Sequence, residues 1–118
     1  MGQTRREQSM GKFTVGEVVL VFFPFSNLQG QKIRPALILA KAEFDNLILC
    51  QITSKPYTSK LAIRIKADNF KKGKLPVVSY VRPDKLFTAD FSIIKGAAGQ
   101  LTPVMIKTIL KSVRRLFS

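Results

Sequence analysis

Gly16-Glu17-Val18-Val19-Leu20-Val21-Phe22-Phe23 runs without a polar side chain from Val18 onward and stops at Pro24. A short, uninterrupted apolar segment rich in β-branched residues and closed by proline predicts a buried strand. Two more segments of this kind follow, Ala36-Leu37-Ile38-Leu39-Ala40 and Leu47 to Thr53, with a turn over Lys41 to Asp45 between them. Pro35 fits at the entrance of the second strand, because a first residue need not donate to the ladder. Leu61 to Lys66 alternates apolar with small or basic side chains, the period-two pattern of a half-exposed strand. Asp68 to Lys74 reads as a basic turn, Val77 to Val81 as a strand, Arg82-Pro83-Asp84-Lys85-Leu86 as a polar break, and Ile93 to Gly99 as a last strand.

The C-terminal segment follows another rule. Thr102 is a good N-cap and Pro103 a good first helical residue. Behind them Ile106, Ile109, Leu110, Val113 and Leu116 recur at three- and four-residue steps, with Lys107, Lys111, Arg114 and Arg115 on the remaining surface. Basic groups in the final turn also favour the negative end of the helix dipole. Many short strands closed by one amphipathic helix predict a small, strongly curved antiparallel barrel, mainly β, with the helix covering part of it.

At 118 residues, with 46% hydrophobic side chains and nine phenylalanines, the chain has material for one core without staples. The expected organisation is a polar, disordered tail over residues 1–12 and a single domain over 13–118. The only cysteine, Cys50, sits in an apolar run and reads as a small core residue. With no histidine and one cysteine there is no ligand set for zinc, and seven scattered carboxylates do not suggest a cation cage. Any catalysis is therefore expected to proceed without metal or other cofactor. The longest apolar run, Val18 to Phe23, is far short of a bilayer span, and the first twelve residues lack the apolar centre of a signal peptide, so the expected location is the cytoplasm.

Lys and Arg number 20 against seven Asp and Glu, a net charge of +13. Such an excess on a small body attracts polyanions and speeds their encounter, with nucleic acid first and an acidic protein second. Polar groups stand at the ends of apolar strands: Arg34 before the second, Thr53 and Ser54 after the third, Arg82 and Asp84 after the fifth. If those ends converge, the groups share one site. Arginine offers a permanently charged planar fork for phosphate, a threonine hydroxyl can donate to a phosphate oxygen, and a carboxylate can accept a proton. Each signal alone also has an ordinary structural explanation: a surface arginine, strand-end turn formers, a local ion pair.

Taken in order, the apolar run from Gly16 to Phe25, the Arg34-Pro35-Ala36 element, Cys50-Gln51-Ile52-Thr53-Ser54, Ser79-Tyr80-Val81-Arg82-Pro83-Asp84-Lys85-Leu86, and Gly99-Gln100-Leu101 followed by a helix resemble the MazF/PemK/Kid toxins across roughly residues 16–117. That resemblance implies an SH3-like barrel of the CcdB/MazF type, usually a homodimer. It also implies cleavage of single-stranded RNA to a 2′,3′-cyclic phosphate and a 5′-hydroxyl, and a cognate antitoxin, which the +13 charge suggests is acidic. MazF-like members place catalysis on positions that fall here on Arg34 and Thr53. Kid-like members assign acid and base roles to positions that fall on Arg82 and Asp84. Kid-like members also use a histidine in the first loop, and this chain has none.

The expected division of labour is Arg34 on the phosphorane, Thr53 on a phosphate oxygen, Asp84 as base, and Arg82 orienting it or neutralising the leaving group. Ser54, Lys32, Lys55 and Lys60 are expected to contact RNA. Ser26 to Lys32 is the expected gate, and Phe25 and Tyr57 are candidate stacking platforms. Two rival readings use the same barrel: a poison of a protein target such as gyrase, and an RNA-binding barrel without catalysis.

Overall fold

A computed structural model describes residues 13–24, 31–56 and 59–118. The expected tail, most of the Ser26–Lys32 gate, Phe25 and Tyr57 lie outside the described residues. Seven strands, β1 (Glu17–Pro24), β2 (Gln31–Lys41), β3 (Asn46–Thr53), β4 (Ile63–Ile65), β5 (Phe70–Gly73), β6 (Ser79–Asp90) and β7 (Ile94–Leu101), precede one helix, α1 (Pro103–Arg115). They form a single antiparallel sheet in the order β4-β6-β3-β2-β1-β7-β5.

The two edge strands of that sheet, β4 and β5, are successive in the chain, joined by Lys66 and a short 3-10 turn, Ala67–Asn69. Five Cα steps from Ile65 to Phe70 reach about 17 Å at full extension. A flat seven-stranded sheet would hold its edges about 29 Å apart. The sheet must therefore curl, and the expected small β barrel with a C-terminal helix is what results.

Curling gives the sheet two differently covered faces, and the alternation along each central strand serves both. Val18, Leu37, Leu39, Cys50, Ile52, Ile65, Val81 and Leu101 form one cluster with Ile109, against which Met105, Ile106, Leu110 and Val113 of α1 also pack. Their neighbours Val19, Val21, Ala36, Ile38, Leu47, Leu49 and Ala89 form a second, covered by Phe13, Phe23, Phe87, Phe91, Ile93 and Ile94. This two-sided burial explains why the β1 segment carries no polar alternation. Helix α1 begins as read: the Thr102 hydroxyl accepts from the Met105 N–H at 3.3 Å, and Pro103 fills the first turn. Burial, and secondarily the Asp84 carboxylate, push the Cys50 thiol up to about 12.

Three local readings need correction. The Asp68–Lys74 segment is not only a turn, since Phe70–Gly73 is a strand on β7. Its charged side chains hid it, because as an edge strand it buries little. The second strand starts at Gln31 rather than beside Pro35, which pairs with Leu20 of β1. Pro35 still precedes the first β2–β3 pair, Ala36 with Gln51, so the β3 ladder loses no donor. Arg82–Leu86 does not break the chain but lies inside the twelve-residue β6. Between Cys50↔Leu86 and Ile52↔Val81, β3 advances two residues while β6 advances five, so Arg82-Pro83-Asp84-Lys85 bulges out of that ladder. Pro83 is buried there, where a missing N–H costs no sheet bond.

Gly73 and Gly99 face each other across the β5–β7 pair. Gly73 has φ +73°, and a Cβ on it would run into the Ala98 carbonyl. Gly73→Ala is expected to destabilise the protein by about 1–3 kcal/mol, read as a lower midpoint in urea unfolding; an unchanged midpoint would refute this account of the pair.

Candidate functional site

One face of the central sheet changes character along its length. On β1 it runs Val19, Val21, Phe23; on β2 Ile38, Ala36, Arg34; on β3 Leu47, Leu49, Gln51, Thr53; on β6 Phe87, then Lys85. The apolar members belong to the second cluster, and the polar ones gather where it ends. Phe23 and Phe87, with ring centroids 5.1 Å apart and tilted by 60°, stand at that boundary.

The β2–β3 register brings Arg34 and Thr53 together. Ala36 with Gln51 is the end pair of that ladder, and Arg34 and Thr53 each lie two residues beyond it, on the same face as that pair. Both line a recess of about 100 Å³ shared with Phe23, Gln51, Arg82 and Lys85. Both also line an adjoining recess of about 290 Å³ that includes Leu20, Ile33, Ser54, Leu75, Val77 and Ser79. Arg34, Pro35, Ile52 and Thr53 are common to the two. Together they make one groove across the end of the β2–β3 ladder. The Thr53 Oγ1 accepts the Lys55 N–H at 3.1 Å, a turn bond that leaves the hydroxyl proton to be donated elsewhere.

Arg82 and Asp84 meet as a two-pronged pair. Arg82 Nε donates to Asp84 Oδ1 at 3.0 Å, and Nη2 to Oδ2 at 2.7 Å. The bulge makes an i, i+2 contact of this geometry available, with buried Pro83 between. The hydrogen bond from Arg82 holds the Asp84 carboxyl below the usual carboxylate range, and the same bond raises the Arg82 guanidinium. Arg82 lines the smaller recess; Asp84 lines neither.

The structure thus brings Arg34, Thr53, Arg82 and Ser54 to one groove and sets Asp84 behind Arg82. Lys32, Lys55 and Lys60 are exposed nearby in sequence but line neither recess. Gln51, Lys85 and Phe23 are lining residues that sequence reasoning missed. Each is two residues from a buried apolar neighbour on the same strand, a parity that becomes informative only once the register is known. Thr53 further stands in a cross-strand row with Tyr80 and Arg64. Among the described residues no group of three or more His, Cys, Asp and Glu is placed to hold a metal ion.

Asp84→Asn is expected to reduce stability by under about 1 kcal/mol at neutral pH, the scale of a surface ion pair. Because the folded pKa is depressed, the contribution is present above the unfolded value of about 3.9 and lost as pH falls through the folded one. Urea unfolding of both proteins should show a gap that is constant above about pH 5 and closes in more acid solution; a gap that widens on acidification would contradict the pairing.

A family model described as the PemK-like, MazF-like toxin of type II toxin–antitoxin systems matches residues 14–117. A search of the curated proteins finds no match. Among solved structures, a MazE–MazF complex from Deinococcus radiodurans is 17% identical over 89% of this chain and 95% of that one, with a TM-score of 0.73. MazF from the same organism is 17% identical over 89% and 96%, at 0.69. An endoribonuclease in complex with its cognate antitoxin from a mycobacterial species is 16% identical over 89% and 94%, at 0.68. At such identities the likeness is one of fold.

Proposed function

The chain belongs to the PemK-like, MazF-like toxins of type II toxin–antitoxin systems, and from that membership and the groove we propose that it is a metal-independent endoribonuclease acting on single-stranded RNA. The observation that carries this reading is that Arg34 and Thr53, nineteen positions apart in sequence and each two residues past the end of the β2–β3 ladder, line one recess with Arg82.

In the proposed reaction the 2′-oxygen attacks the adjacent phosphorus, the bond to the 5′-oxygen breaks, and a 2′,3′-cyclic phosphate and a 5′-hydroxyl result. Arg34 presents its planar cation to the equatorial oxygens of the phosphorane, where charge builds up most. Thr53 donates its hydroxyl proton to one of them. Arg82, which lines the smaller recess with them, neutralises the departing 5′-oxygen, which takes its proton from water.

We assign Asp84 to holding Arg82 rather than to the base role expected from the sequence. A carboxylate whose proton affinity is lowered by its partner and that lines neither recess of the groove is a weak base for a hydroxyl. The 2′-proton instead passes to water late in the step, once bond formation to phosphorus has acidified it. Electrostatic stabilisation then supplies most of the rate. Ser54, Lys32, Lys55 and Lys60 serve as contacts to flanking phosphates, a sequence-independent contribution.

The wider reading is a toxin formed by one domain over residues 13–118 with a tail over 1–12. It works as a homodimer in the cytoplasm, halts translation by cutting messenger RNA, and is restrained by an acidic antitoxin. The net charge of +13 suits both polyanionic partners, and no described helix is long and apolar enough to cross a membrane. Purified protein in EDTA is expected to convert a defined single-stranded RNA to cyclic-phosphate products. Arg34→Ala should lower kcat/KM by about 10²–10³-fold, the scale for removing one preorganised donor, with the circular dichroism spectrum intact. Undiminished cleavage by that variant, or RNA retained but never cut by the wild type, would sink the proposal.

A further inference from the structure

Helix α1 is only partly sunk into the barrel. Ile109 is fully buried, whereas Ile106 and Leu110 pack on the first core cluster and keep some surface outside it. That remaining surface, with Leu101 and Pro103, forms the floor of a recess of about 400 Å³ between α1 and the β5–β7 edge. Gly16 sets how deep the floor lies. Its φ is +92°, and a Cβ there would run into the Ile106 side chain and the Gln100 amide, so only glycine lets Ile106 settle. The Leu101 N–H donates to the Gly16 carbonyl at 3.0 Å and ties the same layer together. The recess is thus built before any ligand arrives.

Its rim is basic. Lys107 and Arg114 come from α1, and Lys71 faces them from β5. A bulge puts Lys71 there. Phe70 pairs with Leu101 and Lys72 with Gln100, so β5 takes two steps against one of β7 and Lys71 is the extra residue. Phe70 packs on the core while Lys71 stays exposed. Among the described residues that line the recess there is neither a carboxylate nor an aromatic ring.

We propose that this recess docks an acidic amphipathic peptide segment of another protein, with its apolar side chains on Ile106 and Leu110 and its carboxylates on Lys71, Lys107 and Arg114. Charge complementarity selects that occupant. A second copy of the chain brings +13 to a surface that is already positive. The chain's own residues 1–12 carry Arg5, Arg6 and Lys12 against Glu7, and are repelled as well. A nucleic-acid strand finds cations here but no ring on which to stack a base. Apolar anchors laid into a groove rimmed by the opposite charge are an established mode of peptide recognition. The recess shares no lining residue with the groove at Arg34 and Thr53. Helix α1 covers the first core cluster, whereas Arg34 and Thr53 continue the strand face of the second. A protein held at α1 therefore leaves that groove open. The inference goes beyond the ribonuclease reading and does not depend on it: the acidic partner is a tether that places the chain, compatible with a strand bound at the same time.

The probe is a fluorescein-labelled peptide of about 15 residues, with Leu at i, i+4 and i+7 and Glu elsewhere, followed by anisotropy on the full chain. A second peptide has Ser for each Leu. K71Q/R114Q should bind the Leu peptide about tenfold more weakly than the wild type, the scale of two exposed charge pairs. The charge-matched K41Q/K95Q and Arg34→Ala should stay within about twofold of the wild type, and the Ser peptide should bind about tenfold more weakly than the Leu peptide. Unfolding midpoints in urea check that each variant is folded. Equal affinities of wild type and K71Q/R114Q, equal affinities for the two peptides, or a loss confined to Arg34→Ala would overturn the docking site. A gain in peptide affinity on deleting residues 2–12 would give the recess to the chain's own tail, and a smaller species in sedimentation for K71Q/R114Q alone would give it to a second copy. A 2′-O-methyl oligoribonucleotide is titrated in parallel; if K71Q/R114Q loses as much affinity for it as for the peptide, the surface belongs to nucleic acid and the proposal fails. A wild type that neither binds nor cuts RNA would count against the ribonuclease reading and leave the docking site standing.

Discussion

Everything in this fold depends on a short tether. Lys66 to Asn69 is all that separates the last residue of one edge strand from the first of the other, so the sheet can form only if it rolls until its edges approach. Rolling supplies the enclosed face on which α1 is seated through Ile109. It also forces neighbouring ladders to run out of register with one another, since strands on a tightly curved surface cannot all stay paired over their full length. The early end of the β2–β3 ladder and the bulge in β6 are where that mismatch falls.

The groove is what such a mismatch leaves behind. Where β2 and β3 part, the alternation that buried Ile38, Ala36, Leu49 and Leu47 carries on into Arg34, Gln51 and Thr53, and these side chains have water or a ligand on their far side instead of a core. The bulge adds Arg82 and Lys85 from a third strand. A barrel of this size thus gathers cations by topology. The pair formed by Arg82 and Asp84 has a similar logic: one carboxylate is spent on orientation, so that a long flexible side chain reaches the groove in a single direction.

Much of this was legible before any coordinates. The apolar run from Val18 to Phe23, the Ala36–Ala40 and Leu47–Thr53 strands and the capped helix from Thr102 all follow from burial on a known period, and Arg34 and Thr53 stood out as polar residues at strand ends. Two kinds of feature were not legible. Phe70-Lys71-Lys72-Gly73 is a strand because β7 offers it an edge, not because its own side chains alternate. Arg82-Pro83-Asp84 looks like a breaker since proline and aspartate disfavour strands, yet a bulge accommodates both. Gln51 and Lys85 were invisible for a further reason. Each becomes a groove residue only through its opposite number on another strand, and pairing between distant segments is not written in either segment alone.

The burial of Cys50 reaches beyond packing. A thiol held almost wholly in its protonated form, with no surface exposed, is closed to the oxidation chemistry that begins from the thiolate. The folded protein therefore keeps its only sulfhydryl out of mixed disulfides and sulfenic acids, and two copies cannot be linked through it.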